Sequence, residues 1–273
     1  MISVLIITKN EAINISKCID SVLWSDDIHV FDSYSDDNTV EIAIKKGAKV
    51  TQEYFVGYAS QRNNALKNLN FKYEWVLILD ADERIPNENG PKLIKLVNEV
   101  EDGFYGFRLR RKDFFRNKWL KYSQISPYYI RLIKKGKAQY HREINEVLEV
   151  NGGVVETDLY FDHFPFSKGI SHWIHKHNTY STMEAERFIL EKHNRVSFSL
   201  KQALFSNDFN IRRYHQKGWY YKLPARPILK FIYMFFWRKA FLDGFAGIHY
   251  TILQCIYEYF IVIKSREFEK KND

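Results

Sequence analysis

The stretch Trp75-Val-Leu-Ile-Leu-Asp-Ala-Asp-Glu83 gives the clearest indication of the fold in this sequence. Its first five residues are apolar, and a continuous apolar run of this length is typical of a strand buried on both faces of a parallel sheet. Asp80 and Asp82 follow directly, and in open α/β sheets ligands bind beyond the carboxyl ends of the strands. The stretch therefore predicts either a site for a hard divalent cation that carries a phosphate, or a strand that ends in a solvated acidic turn.

The chain before this stretch alternates between strand and helix patterns. Strands are predicted at 3–7, 28–31 and 48–51, and helical patterns lie at 13–23, 39–46 and 60–69. Such alternation favours a doubly wound parallel sheet, in which the carboxylate-bearing loops after strands one, two and four converge on one edge. Neither a G-x-G-x-x-G fingerprint nor a P-loop follows the first strand, so we expect side chains and a metal to hold any nucleotide.

The second half of the sequence is mixed. Residues 104–110 and 128–134 alternate as strands do, whereas 91–100 and 170–195 show helical patterns. Between the two strands, residues 110–121 are basic and aromatic. This segment is either a solvated loop with aromatic anchors or a lid that faces an acceptor, because arginine and lysine pair with phosphates.

Basic charge and apolar helices are concentrated in the C-terminal part of the chain. The net charge is +8, and residues 201–273 account for +7 of it, with 13 Lys and Arg against 6 Asp and Glu. This balance indicates an anionic membrane surface or an anionic lipid-linked substrate. A nucleic-acid partner is not expected, since no zinc-finger spacing or aromatic RNA-binding signature accompanies the charge.

Residues 228–237 and 245–263 form the two apolar segments of this region. The second is long enough to span a membrane, but Glu258 lies within it, and a carboxylate there is costly. We therefore expect two helices that either dip into a membrane interface or serve as plain core helices. Cys18 and Cys255 fit no metal or redox spacing, and residues 1–8 lack the features of a signal peptide, so a cytoplasmic location is expected.

Several motifs together resemble the family 2 glycosyltransferases, which have the GT-A fold. The matching pieces are Val4-Leu-Ile-Ile-Thr-Lys-Asn-Glu11, Val30-Phe-Asp-Ser-Tyr-Ser-Asp-Asp-Asn-Thr39, Gln61-Arg-Asn63 and the Asp-x-Asp motif in Leu79-Asp-Ala-Asp-Glu83. Later motifs resemble a narrower branch, the glucosyltransferases of the lipopolysaccharide or lipooligosaccharide core. These later motifs are Glu143-Ile-Asn-Glu-Val-Leu148, Asp162-His-Phe-Pro-Phe166, Lys176-His-Asn-Thr-Tyr180, Leu223-Pro-Ala-Arg-Pro227 and Phe241-Leu-Asp-Gly244.

The resemblance implies a fold and a division of the chain. The expected fold is a nucleotide-diphospho-sugar transferase of GT-A type, with a Rossmann-like, mostly parallel sheet and a C-terminal helical extension. The catalytic domain is expected at 1–200, with a donor half at about 1–100 and an acceptor half at about 101–200. The extension at 201–273 is expected to be basic, apolar and in contact with a membrane.

Five residues correspond to the donor site of the family. Asp32 would accept a hydrogen bond from the uracil ring, with Thr8 and Glu11 around the nucleoside. Asp80 would face the ribose or the water shell of the metal. Arg62 would approach the diphosphate, although its helical pattern is equally compatible with a surface arginine.

Further residues correspond to the metal site and the catalytic base. Asp82 and His163 would bind Mn²⁺ or Mg²⁺, and Glu83 is expected to make a structural contact only. Glu146 is the predicted base, and Glu143 is the rival. The family has a histidine before the base where this chain has Asn145, which leaves the choice of acceptor open.

The resemblance thus implies an inverting, metal-dependent enzyme at the cytoplasmic face of the membrane. It would move a hexose, with glucose favoured, from a UDP-sugar to a lipopolysaccharide or lipooligosaccharide core or another lipid-linked acceptor. Two alternatives remain open. One is a transferase for a protein or polysaccharide acceptor, and the other is a non-catalytic module that binds nucleotide-sugars or glycolipids.

Overall fold

The computed structural model describes residues 1–141, 146–194 and 197–272. The chain forms two compact units, the first made of residues 1–114 and 125–167, the second of residues 115–124 and 168–273. This division differs from the boundary expected near residue 200. The reason is that the helix Gly169–His193 packs along the C-terminal helix and so belongs to the second unit.

Strands and helices alternate regularly over the first hundred residues. In chain order they are β1 (Ser3–Thr8), α1 (Ile15–Asp20), β2 (Ile28–Asp32), α2 (Thr39–Lys45), β3 (Lys49–Gln52), α3 (Tyr58–Asn68), β4 (Trp75–Asp80), β5 (Glu83–Arg84) and α4 (Asn89–Glu99). The four strands and the intervening helices predicted from the sequence are confirmed. Gly47 adopts φ 82° just beyond α2, a left-handed conformation that glycine adopts without strain at a helix end.

The rest of the first unit completes a mixed sheet. Its later strands are β6 (Phe104–Phe115), β8 (Tyr128–Lys134), β9 (Ala138–His141), β10 (Val147–Val150) and β11 (Gly153–His163), while β7 (Lys118–Trp119) belongs to the second unit. The main sheet has the order β3-β2-β1-β4-β8-β6-β11-β5, and β9 and β10 form a separate hairpin. Neighbours are parallel from β3 to β4 and between β6 and β11, whereas β8 is antiparallel to both of its neighbours. The predicted fold class is confirmed.

The register of the parallel strands brings three polar strand ends to one edge. Thr8 at the end of β1 pairs with Asp32 of β2, and Ile7 pairs with Asp80 of β4. Because parallel strands all end on the same side of the sheet, the loops that follow them start close together. The predicted convergence of these loops is therefore confirmed for the backbone.

The two faces of the sheet explain the continuous apolar runs in β1 and β4. Along β1, Val4 and Ile6 pack into the core on one side, and Leu5 and Ile7 pack into the core on the other. Successive side chains of a strand point to opposite faces, so a strand with helices on both sides must be apolar at every position. Residues 75–79 follow the same rule, and all five are buried.

The opposite edge of the sheet is fixed by the buried carboxylate of Asp27. Its Oδ2 accepts hydrogen bonds from Ser3 Oγ (2.6 Å) and the Lys72 backbone N–H (2.8 Å), and Oδ1 accepts from Lys49 Nζ (2.7 Å). Burial alone would raise the pKa of Asp27, but these bonds and the nearby His29 outweigh burial and hold the pKa well below its usual range. Asp27 thereby ties β1, β3 and the segment before β4 together.

The second unit is mainly helical. Its helices are α5 (Gly169–His193), α6 (Leu200–Phe205), α7 (Phe209–Tyr221), α8 (Arg226–Ile232) and α9 (Gly244–Asn272), and a π-helical turn (Tyr233–Trp237) and a 3-10 turn (Ala240–Asp243) lie between α8 and α9. Residues 201–222, which show little periodicity in the sequence, thus form most of α6 and all of α7. Both α5 and α8 pack against α9.

For two segments of the chain the sequence left alternatives open. Residues 110–121 are not one loop, because β6 extends to Phe115 and a tight turn at Arg116 and Asn117, both at positive φ, leads into β7. The segment 240–270, which contains most of α9, is long and apolar enough to cross a membrane by length and composition. About 33% of its most apolar window is buried within the protein.

Candidate active site at the carboxyl edge of the sheet

Three consecutive residues of α3 connect the loops at the carboxyl edge. Gln61 Nε2 donates a hydrogen bond to Ser33 Oγ at 2.5 Å. Asn63 exchanges two hydrogen bonds of 2.8 Å with the backbone of Tyr140 in β9. Arg62 lies between them, so α3 holds the loop after β2 and the hairpin strand β9 against the same edge.

Arg62 contacts two carboxylates for which the sequence predicts different tasks, Asp80 in donor binding and Glu146 as the base. Its Nη2 lies 2.7 Å from Oδ1 of Asp80, and its Nη1 lies 3.4 Å from Oε1 of Glu146. Arg62 is only 5% exposed, so it is not the surface arginine that was the alternative. Burial would raise the pKa of Asp80, but Arg62 and Arg131 outweigh burial and hold that pKa below its ordinary value.

Arg131 and Glu83 fix Asp80 from the other side. Arg131 Nη2 pairs with Glu83 Oε1 and lies 3.3 Å from Oδ2 of Asp80, while Glu83 Oε2 accepts the Asp80 backbone N–H at 3.0 Å. Burial raises the pKa of Glu83 to about 7, although Arg131 acts in the opposite direction. Both oxygens of Asp80 are thus held by buried arginines, which gives its carboxylate one orientation.

His163 lies between the carboxylates of Asp82 and Asp113. Its Nε2 is 3.4 Å from Oδ2 of Asp82, and its Nδ1 is 2.5 Å from Oδ1 of Asp113. The strand register places His163 opposite Glu83, and the Phe164 N–H donates to the Asp82 carbonyl at 2.9 Å. Burial would lower the pKa of His163, but the two carboxylates outweigh burial and raise it to about 10.

Two of these residues, Asp82 and His163, could bind a divalent cation together with ligands from outside the protein. In residues 1–141, 146–194 and 197–272, no group of three His, Cys, Asp or Glu side chains is placed to hold a metal alone. Asp82 and His163 would therefore supply two ligands, which suits Mg²⁺ or Mn²⁺ ions that take their other ligands from phosphates and water. Because Asp113 contacts Nδ1 of His163, the other ring nitrogen, Nε2, lies on the side of Asp82. Metal-binding histidines commonly have a carboxylate on the ring nitrogen that does not bind the metal.

Asp32 lies at the end of β2 and is fully buried. Its Oδ2 accepts hydrogen bonds from the Ser35 backbone N–H (2.8 Å) and from Gln52 Nε2 (2.9 Å), and its Oδ1 accepts from the Ser35 hydroxyl. A carboxylate has about four acceptor positions, so three such bonds leave capacity for one further donor. The orientation of Asp32 is set by the loop after β2 and by β3.

Thr8 and Glu11 begin the loop after β1. Thr8 is 3% exposed, and its hydroxyl has no hydrogen-bond partner among the residues that the structure describes. A buried polar atom without a partner usually marks a position for a ligand or an ordered water. Glu11 accepts a hydrogen bond of 2.6 Å from Asn14 Nδ2 at the start of α1, so part of its carboxylate is used to shape this loop.

Glu146 lies directly before β10, in the β9–β10 hairpin. Asn63 holds this hairpin by hydrogen bonds to Tyr140. Its side chain is 25% exposed, so one oxygen can contact Arg62 while the carboxylate still faces solvent. The rival base Glu143 and the replacement at Asn145 lie outside the described residues.

Sequence reasoning missed Arg131 and Asp113, which complete the site. Arg131 is a charged residue inside the apolar strand Tyr128–Lys134, and this unusual position was the available signal. Asp113 is a single acidic residue in the basic run Arg110-Arg-Lys-Asp113, where it reads as a surface charge. Tyr140, whose buried hydroxyl lacks a partner among the described residues, gave no signal at all.

The family profile of glycosyl transferase family 2 matches residues 3–149. The chain belongs to the family 2 glycosyltransferases. The resemblance seen in the sequence is therefore confirmed, and the protein is an enzyme that transfers a sugar.

Individual relatives of this glycosyltransferase cover nearly its whole length. An uncharacterized glycosyltransferase of Rickettsia typhi is 28% identical over 99% of this chain and 88% of its own. The lipopolysaccharide core biosynthesis glycosyltransferase LpsC of Rhizobium meliloti is 27% identical over 92% of this chain and 89% of its own. These matches include the C-terminal unit and not the family domain alone.

Among solved structures, glucosyl-3-phosphoglycerate synthase of Mycobacterium tuberculosis in complex with Mn²⁺ and UDP is 25% identical. It aligns over 42% of this chain and 44% of its own, with a TM-score of 0.34. This partial alignment assigns no roles to individual residues of the present chain, and those roles are inferred from the contacts within the chain itself.

Proposed function

We propose that this glycosyltransferase moves a hexose, with glucose favoured, from a UDP-sugar to a lipopolysaccharide or lipooligosaccharide core or another lipid-linked acceptor. The transfer inverts the anomeric centre and depends on Mn²⁺ or Mg²⁺. The observation that carries this proposal is the contact of Arg62 with both Asp80 and Glu146. One buried side chain thereby joins a carboxylate at the donor edge to a carboxylate suited to activating an acceptor.

Donor binding is assigned to the loops after β1, β2 and β4. Asp32 has acceptor capacity left for an imide N–H of the base, and the unpartnered Thr8 hydroxyl lies at the neighbouring strand end. Asp80 would face the ribose or the water shell of the cation. Its two arginine contacts keep it ionised, so it can accept hydrogen bonds from either.

Asp82 and His163 would hold the divalent cation, with Asp113 orienting the histidine ring. The bound cation supplies positive charge against the negative charge that develops on the departing diphosphate. Arg62 lies at the same edge and contributes a second, permanent positive charge. Arg131 and Glu83 keep the Asp-x-Asp loop in place because they bind both its backbone and its first carboxylate.

Glu146 acts as the general base. The acceptor hydroxyl must lose a proton as it attacks, and a carboxylate within hydrogen-bond reach can take that proton. The contact with Arg62 occupies one oxygen of Glu146 and orients the carboxylate. The second oxygen is left for the acceptor hydroxyl. Direct attack on the anomeric carbon, with the diphosphate leaving from the opposite face, produces the inversion.

The acceptor class and the location are supported by the C-terminal unit and by one relative. The basic excess of residues 201–273 favours an anionic surface, and the relative from Rhizobium meliloti is named for lipopolysaccharide core biosynthesis. We place the enzyme in the cytoplasm, at the periphery of the inner face of the cytoplasmic membrane.

The test is a panel of UDP- and GDP-sugars, assayed with Mn²⁺ for donor binding and then for transfer to truncated lipooligosaccharides. We expect transfer from a UDP-hexose, loss of that transfer with a chelator, and loss of metal-dependent donor binding in Asp82→Asn. The variant Asp158→Asn, an exposed carboxylate on β11, is the matched control. Transfer to protein or polysaccharide acceptors alone, or donor affinity in Asp82→Asn equal to that of the parent enzyme, would contradict the proposal.

A further inference from the structure

The π-helical turn and the 3-10 turn between α8 and α9, together with the first turn of α9, carry large apolar side chains in solvent. We call this surface the apolar corner; it consists of Phe236, Trp237, Phe241, Leu242 and Phe245. Trp237 is 81% exposed and Phe245 is 82% exposed, and the other three are 43% to 62% exposed. Apolar side chains grouped in this way on a protein surface usually mark an interaction site.

The apolar corner is firmly built, so its exposure is not the result of a loose loop. Phe235, which is half-buried, contacts the rings of Phe231, Phe236 and Phe241 at centroid distances of 5.1 to 5.6 Å. Gly247 in the first turn of α9 lies so close to the 3-10 turn that an added Cβ would be 2.1 Å from the carbonyl oxygen of Ala240. The backbone on both sides of the corner is therefore packed closely.

A basic segment, residues 115–124, is anchored beside this corner. The buried carboxylate of Asp243 accepts backbone N–H bonds from Lys121 (3.2 Å), Tyr122 (3.0 Å) and Ser123 (2.7 Å). Arg238 Nε donates to the Tyr122 carbonyl at 3.1 Å. Asp243 lies only two residues from Phe245, so the segment is held next to the apolar corner.

All exposed charges on these two parts of the chain are positive. Residues 115–124 and 222–250 contain eight Lys and Arg and one acidic residue, Asp243, which is buried and hydrogen-bonded. Arg116, Lys118, Lys121 and Lys239 are exposed, and Lys118 Nζ lies 3.7 Å from the position that a Cβ on Gly244 would take. Two copies of so basic a surface would repel each other, whereas anionic lipid headgroups complement it.

α9 keeps one face against the protein along its length, which favours a surface contact over a crossing. Ala246, Tyr250, Glu258, Ile261 and Ser265 are buried on this face, and Glu258 lies 3.4 Å from the buried Arg226. The exposed side chains Phe245, Ile252, Ile256 and Tyr259 follow at helical spacing on the other face. A helix apolar on its outer face and packed on its inner face suits the plane of a membrane interface.

From these observations we infer that the apolar corner inserts into the interfacial region of an anionic bilayer, while the basic side chains around it contact the lipid headgroups. The inference deepens the proposed function and rests on it in one respect, since a lipid-linked acceptor would be carried by such a bilayer. It assigns the membrane contact to particular residues, which the basic excess of the tail alone does not do.

The experiment is co-sedimentation of the full chain with vesicles of phosphatidylcholine alone and of phosphatidylcholine mixed with phosphatidylglycerol. We expect the parent to bind the mixed vesicles. The double variant Phe236→Ser, Trp237→Ser should bind them about tenfold more weakly or worse, because two large apolar side chains no longer enter the interface. Lys118→Gln and Lys239→Gln are each expected to weaken binding by about fivefold. Phe205→Ser on α6, where the phenylalanine is 75% exposed, is the matched control and should bind as the parent does.

Four results with vesicles, and one concerning a dimer, would overturn the inference. The first is equal binding of the parent to both kinds of vesicle, and the second is equal binding of the double variant and the parent. The third is a loss of vesicle binding in Phe205→Ser as large as the loss in the double variant. The fourth is retention of the protein in the bilayer after alkaline carbonate extraction, which would mean a membrane-spanning chain. A dimer that the double variant abolishes, without vesicle binding by the parent, would assign the corner to a second copy instead. All substituted side chains are exposed, and circular dichroism checks that the variants fold.

Failure of the inference and failure of the proposed function give different results. Vesicle binding needs no sugar donor, so it can follow the expected order of variants even if no transfer is found. Transfer to a delipidated, water-soluble core oligosaccharide should be the same in the double variant and the parent. Transfer to the same acceptor in lipid-linked form, presented in mixed vesicles, should fall with vesicle binding.

Discussion

Oδ1 of Asp113 lies 2.5 Å from Nδ1 of His163, and this contact directs the other nitrogen of the ring towards Asp82. Asp113 is 3% exposed, so water cannot replace it easily. If His163 binds the metal, Asp113 determines how well it does so. The contact joins β6 to the end of β11, two strands that are parallel neighbours in the sheet.

We therefore predict that Asp113→Asn weakens Mn²⁺ binding by about 10- to 100-fold, the range found when a partner behind a metal-binding histidine is removed. The measurement is an electron paramagnetic resonance titration of Mn²⁺ in the presence of UDP, which needs no turnover. Asp158→Asn on the same strand as His163 is the control. Unchanged Mn²⁺ affinity in Asp113→Asn would mean that His163 is not a ligand.

Glu146→Gln keeps the shape of the proposed base but removes its ability to take a proton. We expect turnover to fall by about 10²- to 10⁴-fold, the usual contribution of a general base, while the affinity for the UDP-sugar stays the same. Single-turnover assays and calorimetric titration measure the two quantities. Glu149→Gln serves as the control, because Glu149 lies three residues further along the same hairpin, is exposed, and pairs at 3.1 Å with the exposed His141. Full turnover in Glu146→Gln would remove this residue from the mechanism.

Arg131→Met removes the partner of the buried Glu83. Because a buried carboxylate without its ion pair is strongly destabilising, we expect the free energy of unfolding to fall by about 3 kcal/mol. Urea denaturation measures this change. The double variant Arg131→Met, Glu83→Gln should regain a large part of the loss, since no buried charge is left without a partner.

Lys134→Met is the control for Arg131, since Lys134 lies on the same strand and pairs at 3.4 Å with the largely exposed Glu74. An exposed ion pair contributes little, so this variant should lose less than about 1 kcal/mol. An equal loss in the two single variants would show that burial of the Glu83–Arg131 pair does not determine the cost.

Asp27 makes the stability of the sheet depend on pH. Its pKa in the folded protein lies below the value of about 3.9 for an unfolded chain, so its contribution is complete above that value and disappears as the pH falls towards the folded pKa. We expect Asp27→Asn to lose about 2 kcal/mol or more at neutral pH, because hydrogen bonds to a buried carboxylate are lost.

Urea denaturation of Asp27→Asn and the parent across a pH series tests this expectation. The difference between the two should shrink as the pH falls below about pH 4. Asp20→Asn, which disrupts the exposed pair with Lys46, should show a small difference at every pH. A difference for Asp27→Asn that grows as the pH falls below about pH 4 would contradict the assignment.

The sheet and its polar edge could be predicted because both depend on local patterns. Residues 75–79 are apolar at every position, which only a strand covered on both faces requires, and strict alternation with helices makes neighbouring strands parallel. Parallel strands end on one side of the sheet, so Thr8, Asp32 and Asp80 were expected at the same edge. No knowledge of distant contacts was needed for that conclusion.

The partners of the site residues could not be predicted in the same way. Asp113 and His163 are 50 residues apart, and Arg131 and Glu83 are 48 apart, so no local spacing records that they meet. Their contacts depend on β8 and β6 taking the positions beside β4, which the strand patterns alone leave open. The length of the apolar helices likewise did not reveal which of their faces is exposed.

The sequence by itself determined the alternation of strands and helices, the carboxylates at the edge of the sheet and the family of the enzyme. These features follow from the periodicity of side chains and from motifs that are contiguous in the chain. Only the tertiary structure decided that two buried arginines orient Asp80, that Asp113 holds His163, and that α9 buries Glu258 while exposing Phe245. Such features depend on which side chains lose water together, and packing decides this between residues that are distant in the chain.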